Sequence, residues 1–315
     1  MPAFVPLVLT RIPVACQTAA LQLAARAWPA DERTGQLAAI EKLVAEGRAE
    51  DILLIEARRG AELVGAVLAQ TLCGRSAVVW PPQSIDADDS TTAASLLQSL
   101  HDRLTASGTH LAQTILDSAN EFPAATMVAA GYVYAGELCY MAALAECFPE
   151  REPPRDWTVE PLSTANRAPF IALIDATYQG SLDCPLVDGL RDTADVLEGY
   201  RSVGQYRPEY WLTVKHEKSD IGCLILADHP AQDQMEIVYV GVVNAARGRR
   251  LGLALTRHAQ WLARQEGKAR LVLAVDQANR PAILAYQSAG FVAWDRRSLF
   301  VRAFLQAPSS FVVMG

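Results

Sequence analysis

Two stretches of the chain, LDSANEFPAATMVAAGY at residues 116–132 and VDQANRPAILAYQSAGF at residues 275–291, align without a gap. In each stretch an apolar run ends in aspartate, an Ala-Asn pair follows, and an amphipathic segment ends in glycine and an aromatic residue. This order predicts a strand, a turn, a helix capped by glycine and another strand. The same offset of 159 residues places AVVWPPQS on EIVYVGVV further upstream. The sequence therefore predicts two tandem copies of one α/β unit.

The length of the chain agrees with two domains. Its 315 residues exceed the roughly 100–200 residues that are typical of one domain. The stretch LAECFPEREPPRDW at residues 144–157 is polar and rich in proline, which is typical of a linker. We predict an N-terminal domain at residues 1–147, a linker at 148–156 and a C-terminal domain at 157–315.

The hydrophobic periodicity of the second copy predicts a mixed α/β order. The expected elements are a strand at 157–162, helices at 168–177 and 194–203, strands at 210–215, 221–227 and 235–243, a helix at 252–265, a strand at 270–275, a helix at 281–289 and strands from 291 onward.

Composition narrows the classes of function. Hydrophobic residues make up 51% of the chain and charged residues 20%, and the net charge of −7 disfavours nucleic acid as a partner. No apolar run reaches the roughly 18 residues of a membrane span, and the N-terminus lacks the basic segment of a secretory signal. We expect a cytoplasmic protein without a membrane partner. The six cysteines and five histidines are scattered, so we expect no metal site.

The segment RGRRLG at residues 247–252 lies between a predicted strand and a predicted helix. Unpaired N–H groups in the first helical turn and the positive end of the helix dipole make such a position an anion site. Arg247, Arg249 and Arg250 add positive charge. The segment therefore predicts a phosphate-binding loop, although a solvated basic helix start would give the same pattern in isolation.

These six residues resemble the first signature of the GNAT acetyltransferase superfamily, Q/R-x-x-G-x-G/A, with Arg250 in place of the middle glycine. The segment from Asn279 to Phe291 resembles the second signature, N-x-x-A-x-x-x-Y-x-x-x-G-F. The resemblance implies two GNAT-like domains, each a mixed, mostly antiparallel sheet flanked by helices. It also implies a cofactor site for acetyl-coenzyme A formed by Val242, Val243, Arg247, Gly248, Arg249, Arg250, Leu251, Gly252, Leu253, Asn279 and Tyr286.

The resemblance also suggests catalytic roles. Tyr286 occupies the position of the family's general acid, which protonates the departing thiolate. Glu236 at the start of the central strand is the candidate general base, with an ordered water as the alternative. The backbone of Val242 and Val243 is expected to pair with the amide groups of pantetheine.

The acceptor side is expected between the first two helices of the second copy. Tyr178 and Asp183 lie there, and Tyr239 lies on the central strand; we predict that these three residues bind the acceptor. Plain loop, capping and core roles are alternatives for each of them. Cys184 is not expected to act as a nucleophile, since no histidine lies near it in sequence.

The expected function is transfer of an acetyl group from acetyl-coenzyme A to a primary amine by direct attack in a ternary complex. The acceptor is expected to be a small-molecule or peptide amine, and the protein a monomer or a homodimer. The alternative is a non-enzymatic sensor or scaffold that binds an acyl-coenzyme A.

The first copy lacks the groups on which this chemistry depends. At the same offset, the positions of Arg247, Gly248, Arg250, Gly252, Tyr286 and Glu236 are occupied by Asp88, Asp89, Thr91, Ala93, Met127 and Ala77. An acidic loop without glycine repels phosphate. We therefore expect a degenerate N-terminal domain in which Pro81 and Pro82 also interrupt a strand.

Overall fold

The computed structural model of the chain describes residues 5–14, 19–86, 89–117 and 121–304, with the backbone alone at 121–122. The chain divides into two compact units. One unit comprises Met1–Tyr134 and Phe300–Gly315, and the other comprises Ala135–Leu299. In the described part of the chain, no helix combines the length and the apolarity that crossing a membrane requires.

The first unit is a mixed sheet with helices packed on it. Its elements are β1 (Leu7–Ile12), α1 (Ala19–Ala24), α2 (Arg33–Ala45), β2 (Ile52–Arg59), β3 (Glu62–Leu72), β4 (Ser76–Val79), β5 (Gln83–Ser84), α3 (Ser90–Ala106), β6 (Leu111–Asp117) and α4 (Glu121–Ala129). The strand order is β1-β2-β3-β4-β6, and β5 pairs with β3. Neighbours are antiparallel except β4 and β6, which are parallel. As expected, the strand before Pro81 stops at Val79.

The second unit contains the predicted phosphate loop. Its elements are β7 (Val133–Leu144), β8 (Thr158–Pro161), α5 (Arg167–Tyr178), α6 (Thr193–Arg201), β9 (Trp211–His216), β10 (Ser219–His229), β11 (Gln234–Val242), α7 (Leu251–Gln265), β12 (Arg270–Asp276), α8 (Arg280–Ser288) and β13 (Val292–Ala303). The strand order is β7-β12-β11-β10-β9-β8. Only β11 and β12 are parallel among these pairs. The predicted mixed α/β class is confirmed.

Helices cover both faces of this second sheet. On one face α7 and α8 pack against the strands, and Leu255, Ala259 and Ala263 of α7 are fully buried there. These residues recur every four positions, so they form the apolar stripe of an amphipathic helix. On the other face α5 and α6 bury Phe170 and Ile174 against β9 and β10. The strands from β7 to β8 form the layer between the helices.

The internal repeat is visible in the element boundaries. The bounds of β6, α4 and β7 coincide with those of β12, α8 and β13 when they are shifted by the sequence offset of 159 residues. The last strand of each copy nevertheless has residues in the other compact unit, because Ala135–Leu144 belongs to the second unit and Phe300–Ala303 to the first. The compact units therefore differ from domains bounded at 147 and 157, and that division of the chain stays a prediction.

Candidate functional site

The strands β11 and β12 part from each other halfway along their length. Their parallel pairing runs from Gln234↔Arg270 to Ile237↔Leu273, whereas β11 continues to Val242 and β12 to Asp276. The pairing of β11 with β10 shifts register at the same place, between Ile225 and Leu226. Such a bulge bends a strand and increases its twist. Beyond Ile237, the edge of β11 that faces away from β10 can therefore pair with an extended ligand.

The loop that follows β11 leads directly into the start of α7. The loop begins with a short 3₁₀ turn at Asn244–Ala246. Further along it, Gly248 and Arg250 both have positive φ, of 79° and 60°. The first hydrogen bond that closes α7 runs from the Ala254 N–H to the Arg250 carbonyl at 3.1 Å. The N–H groups of the residues before Ala254 therefore have no acceptor within the helix. This is the arrangement that binds anions at helix N-termini.

The loop is open enough for a large anion. A Cβ atom added at Gly248 or Gly252 would meet no heavy atom within 4 Å. Arg249 and Arg250 are exposed beside these glycines. The described loop thus combines backbone donors, open space and two exposed cations, which suits a diphosphate.

Arg247 has a different environment from the other two arginines. Its Nε donates to the Val242 carbonyl at 3.0 Å, one terminal nitrogen to the Gly180 carbonyl at 2.9 Å and the other to the Thr177 carbonyl at 2.8 Å. The guanidinium therefore ties the end of α5 and the loop after it to the end of β11. The sequence suggested that this side chain adds charge to the phosphate site, but its charge is directed to protein carbonyls.

Three tyrosines form a cluster beside the parted strands. Tyr239 stacks on Tyr200 and meets Tyr178 edge to face, with ring centroids 5.8 and 5.4 Å apart. The Tyr239 hydroxyl lies 2.7 Å from the Thr177 hydroxyl, which itself donates to the Ile174 carbonyl, so the tyrosine is the donor. Burial raises the pKa of Tyr178 to about 12 and that of Tyr239 well above its usual value. All three phenols are therefore neutral donors at physiological pH.

These tyrosines line a cavity of about 590 Å³ between α5, α6 and the loop that joins them. The wall also carries four carboxylates and one guanidinium, from Asp175, Asp183, Asp188, Asp192 and Arg191. The aromatic rings and the excess of carboxylates suit a cationic ligand with an apolar body. The structure thus brings Tyr178, Asp183 and Tyr239 together in the wall of one cavity, and their binding of the acceptor stays a prediction.

Asp183 is joined to the end of β12 by a reciprocal pair of hydrogen bonds. Its Oδ1 accepts from the Asp276 N–H at 2.9 Å, and the Cys184 N–H donates to Asp276 Oδ2 at 3.0 Å. The Asp276 side chain is buried and also accepts from the Ala278 N–H. Burial, followed by the proximity of Asp183 and Asp276, raises the pKa of the Cys184 thiol to about 12. A thiol with this pKa is a poor nucleophile, which agrees with the sequence-based expectation.

Asn279 and Tyr286 lie on α8, which begins just after Asp276. Asn279 caps the helix, since its Oδ1 accepts from the Ala282 N–H at 3.3 Å. Its side chain also bonds to Asp183. Tyr286 is 7% exposed and packs on Phe291. Burial and the nearby charge of Asp183 raise the pKa of Tyr286 far above its usual value, so this phenol stays protonated.

Glu236 lies apart from the acceptor cavity, among whose lining residues it is not found. Its Oε2 is 2.9 Å from Nε2 of His229 on β10, in a partly buried pair. It precedes Tyr239 by three positions on β11 and pairs with Ala227 and Val272. The structure thus gives Glu236 a partner that the sequence did not indicate.

Sequence reasoning missed three residues of the site. Tyr200 and Arg191 line the cavity, and Asp276 anchors the loop that carries Asp183. Asp276 could have been identified, because it ends the apolar run in the repeated motif. Tyr200 and Arg191 carry no signal in the sequence, since only the folded chain brings α6 and its preceding loop beside Tyr239.

The first copy has no comparable anion site at the start of its equivalent helix, as far as the described residues show. The Asp89 side chain caps α3, accepting from the Thr92 N–H at 2.9 Å and pairing with Arg59 at 3.0 Å. Asp88, which occupies the position of Arg247, lies outside the described residues. Met127 and Ala77 replace Tyr286 and Glu236 and are fully buried. In place of phosphate donors and acid–base groups, the first copy thus has a self-capped helix and apolar core residues.

Comparison with solved structures gives the fold. A GCN5-related N-acetyltransferase from Sphaerobacter thermophilus superposes over 94% of this chain and 95% of its own, with a TM-score of 0.58 and 19% identity. A tandem GNAT protein from the clavulanic acid biosynthesis pathway superposes over 97% of this chain and 100% of its own, with a TM-score of 0.52 and 13% identity. These likenesses confirm the predicted GNAT fold and its tandem arrangement.

Comparison of sequences is more local. Mycothiol acetyltransferase from Renibacterium salmoninarum is 37% identical over 65 residues, which cover 21% of this chain and 19% of that protein. The match thus spans about a fifth of that relative's length. The model of the family described as "Acetyltransferase (GNAT) family" matches residues 174–291, which contain the loop, the parted strands and the cavity. The chain therefore contains a domain of the GNAT acetyltransferase family at residues 174–291.

Proposed function

We propose that this protein is an N-acetyltransferase that uses acetyl-coenzyme A and acetylates a primary amine. The proposal rests on the position of the strand β11. The free edge of β11 runs from Tyr239 in the acceptor cavity to Val242, which precedes the phosphate loop. An extended cofactor paired along this edge would have its phosphates at α7 and its thioester beside the cavity. Direct transfer in a ternary complex follows from this placement.

The residues of the loop fit the cofactor. The backbone of Val242 and Val243 would meet the pantetheine amides. The diphosphate would be bound by the backbone around Gly248, Leu251, Gly252 and Leu253, with Arg249 and Arg250 as cations. Arg247 would act by holding the loop in place, because three of its five N–H donors are bonded to backbone carbonyls.

Tyr286 is the proposed general acid. Its phenol stays protonated until negative charge develops on the thioester sulfur, which is the requirement for donating at that moment. Glu236 or an ordered water is the base that the sequence predicts, and the structure offers other carboxylates for comparison. The acceptor is a small-molecule or peptide amine, and a cytoplasmic monomer or homodimer belongs to the same proposal.

The alternative function is a sensor that binds an acyl-coenzyme A without turnover. A sensor has no need for a protonated phenol at this position of α8, and the first copy carries Met127 at the equivalent position. The position of Tyr286 on α8, close to the charge of Asp183, therefore favours the enzyme.

Calorimetry with acetyl-coenzyme A, together with thiol release in the presence of amines, tests the proposal. We expect one binding site, which Arg249→Glu weakens at least about tenfold through charge repulsion, and thiol release that Tyr286→Phe slows about 100-fold. Arg257→Glu reverses a charge on the exposed side of α7 and serves as the control. Binding without thiol release from any amine would favour the sensor, and no binding would contradict the assignment of the loop.

A further inference from the structure

The proposed reaction needs a group that removes a proton from the acceptor, because most primary amines are protonated near pH 7. Such a group has to face both the acceptor cavity and the parted ends of β11 and β12. Glu236 does not line the cavity, and its carboxylate is paired with His229. The carboxylates of the cavity wall are therefore the ones to compare.

Asp183 differs from the other carboxylates of the wall in how it is held. The Asp276 N–H binds its Oδ1, and the side chain of Asn279 gives it a second bond. Asp276 in turn holds the backbone of Cys184, so the loop and the end of β12 fix each other. Asp175 is instead bonded to the Thr193 hydroxyl, at the α6 end of the cavity. Asp183 is thus preorganised where β12 has separated from β11.

We propose that Asp183 accepts the proton of the acceptor's ammonium group, which makes it the catalytic base of this site; this inference rests on the proposed function. An N–H bond of the ammonium breaks and an O–H bond forms on the Asp183 carboxyl. The neutral amine then attacks the thioester carbonyl, so that a C–N bond forms, the C–S bond breaks and the departing thiolate takes a proton from Tyr286. The amide nitrogen gives up its second proton, which restores the Tyr286 phenol, and no atom changes its oxidation state. Asp183 as a residue is exposed at the cavity wall, although protein atoms surround its carboxyl, so the proton has a path to water before the next cycle.

The surroundings of Asp183 suit this task. Protein atoms crowd its carboxyl, and this desolvation, reinforced by the charge of Asp276 and opposed by the Asp276 N–H, raises its pKa. A carboxylate with a raised pKa is a stronger base than one in water. The other titratable groups that interact with it are Asp276, Cys184, Tyr200, Tyr239 and Tyr286. Burial keeps the thiol and the three phenols neutral, so they do not titrate below neutral pH.

The test compares Asp183→Asn with the wild type in acetyl-coenzyme A binding and in thiol release with tyramine, 1,4-diaminobutane and aniline. Asparagine keeps the oxygen that accepts from the Asp276 N–H, so the variant should keep its fold. Its dissociation constant for acetyl-coenzyme A should differ from that of the wild type by less than about twofold. With the two alkyl amines at pH 7, kcat/KM should fall about 100-fold. The deficit should shrink as pH rises toward the pKa of the amine, and it should be smallest for aniline, which is already neutral.

Two variants serve as controls. Asp233→Asn makes the same change in the turn between β10 and β11 and should leave the rates unaltered. Asp183→Glu keeps a carboxylate and should recover part of the low-pH activity. These variants separate loss of the base from loss of an acceptor contact.

The outcomes distinguish this inference from the proposed function. If wild-type protein releases thiol and Asp183→Asn stays within threefold of it, Asp183 is not the base. A deficit that is equal at every pH and for all three amines would reduce Asp183 to a binding residue and overturn the inference. Wild-type protein that binds acetyl-coenzyme A but releases no thiol with any amine would overturn both.

Discussion

Arg247 and Arg249 are two residues apart, but their side chains have different environments. Arg247 donates to three backbone carbonyls, whereas Arg249 is exposed beside the open loop. Charged hydrogen bonds are worth about 1.5–3 kcal/mol each before losses elsewhere are counted. We expect Arg247→Ala to lower the free energy of unfolding by about 2 kcal/mol or more, measured by urea denaturation.

Arg249→Ala is the matched variant. It should leave the urea midpoint unchanged and weaken acetyl-coenzyme A binding in calorimetry by about 1 kcal/mol. Equal stability of the two variants would show that the Arg247 contacts do not support the fold.

His258 is a buried histidine on α7, between the rings of Trp157 and Trp261. Burial, followed by the charge of Arg155, lowers its pKa from 6.5 to about 4. The unfolded chain therefore takes up a proton between pH 6.5 and 4 that the folded chain does not. Stability present above pH 6.5 should be lost as pH falls through this window, by on the order of 2 kcal/mol.

His258→Phe keeps a ring at this place and removes the titrating group. We expect urea midpoints measured from pH 7 to 4 to fall less steeply for this variant than for the wild type. A wild-type slope retained in His258→Phe would mean that other groups cause the loss.

At the start of the element α7, the residue type conflicts with the backbone conformation. Arg250 precedes the helix at φ 60°, ψ 18°, a left-handed conformation that a side chain with a Cβ atom adopts at a cost of about 1 kcal/mol. Arg250→Gly should therefore raise the free energy of unfolding by up to about 1 kcal/mol while weakening acetyl-coenzyme A binding, since a cation is lost. If Arg250→Gly were less stable than the wild type, contacts of the Arg250 side chain would have to stabilise the fold by more than the left-handed conformation costs.

The periodicity of the sequence predicted most helices and strands of the second unit. The predicted strand at 270–275 and helix at 281–289 correspond to β12 and α8, because both lie within the repeated motif. The parting of β11 from β12 at Ile237 was not predictable, since both strands continue as apolar runs past this point and the bulge depends on pairing with β10. Nor was the attachment of Arg247 to Thr177, which joins residues 70 positions apart.

The repeat in the sequence and the compact units of the whole molecule divide the chain differently. The difference lies in the last strand of each copy. The repeat assigns β7 to the first copy, but Ala135–Leu144 pairs with β12 inside the second unit. Cys139, Met141 and Ala143 of this strand lie in the core that α7 and α8 cover. A boundary drawn from composition at 148–156 would therefore separate the second unit from one of its own strands.

A fragment spanning 157–315 should consequently be unstable, whereas a fragment spanning 135–299 should fold. Without β7, the whole length of β12 from Arg270 to Asp276 loses its antiparallel partner, and the buried side chains opposite it face water. Losing three buried side chains costs at least about 4 kcal/mol, a large part of the 5–15 kcal/mol that stabilises a typical domain. Circular dichroism during urea titration compares the two fragments, and adding a peptide of residues 133–147 to the shorter one should restore a cooperative transition. A 157–315 fragment as stable as 135–299 would show that this unit folds without β7.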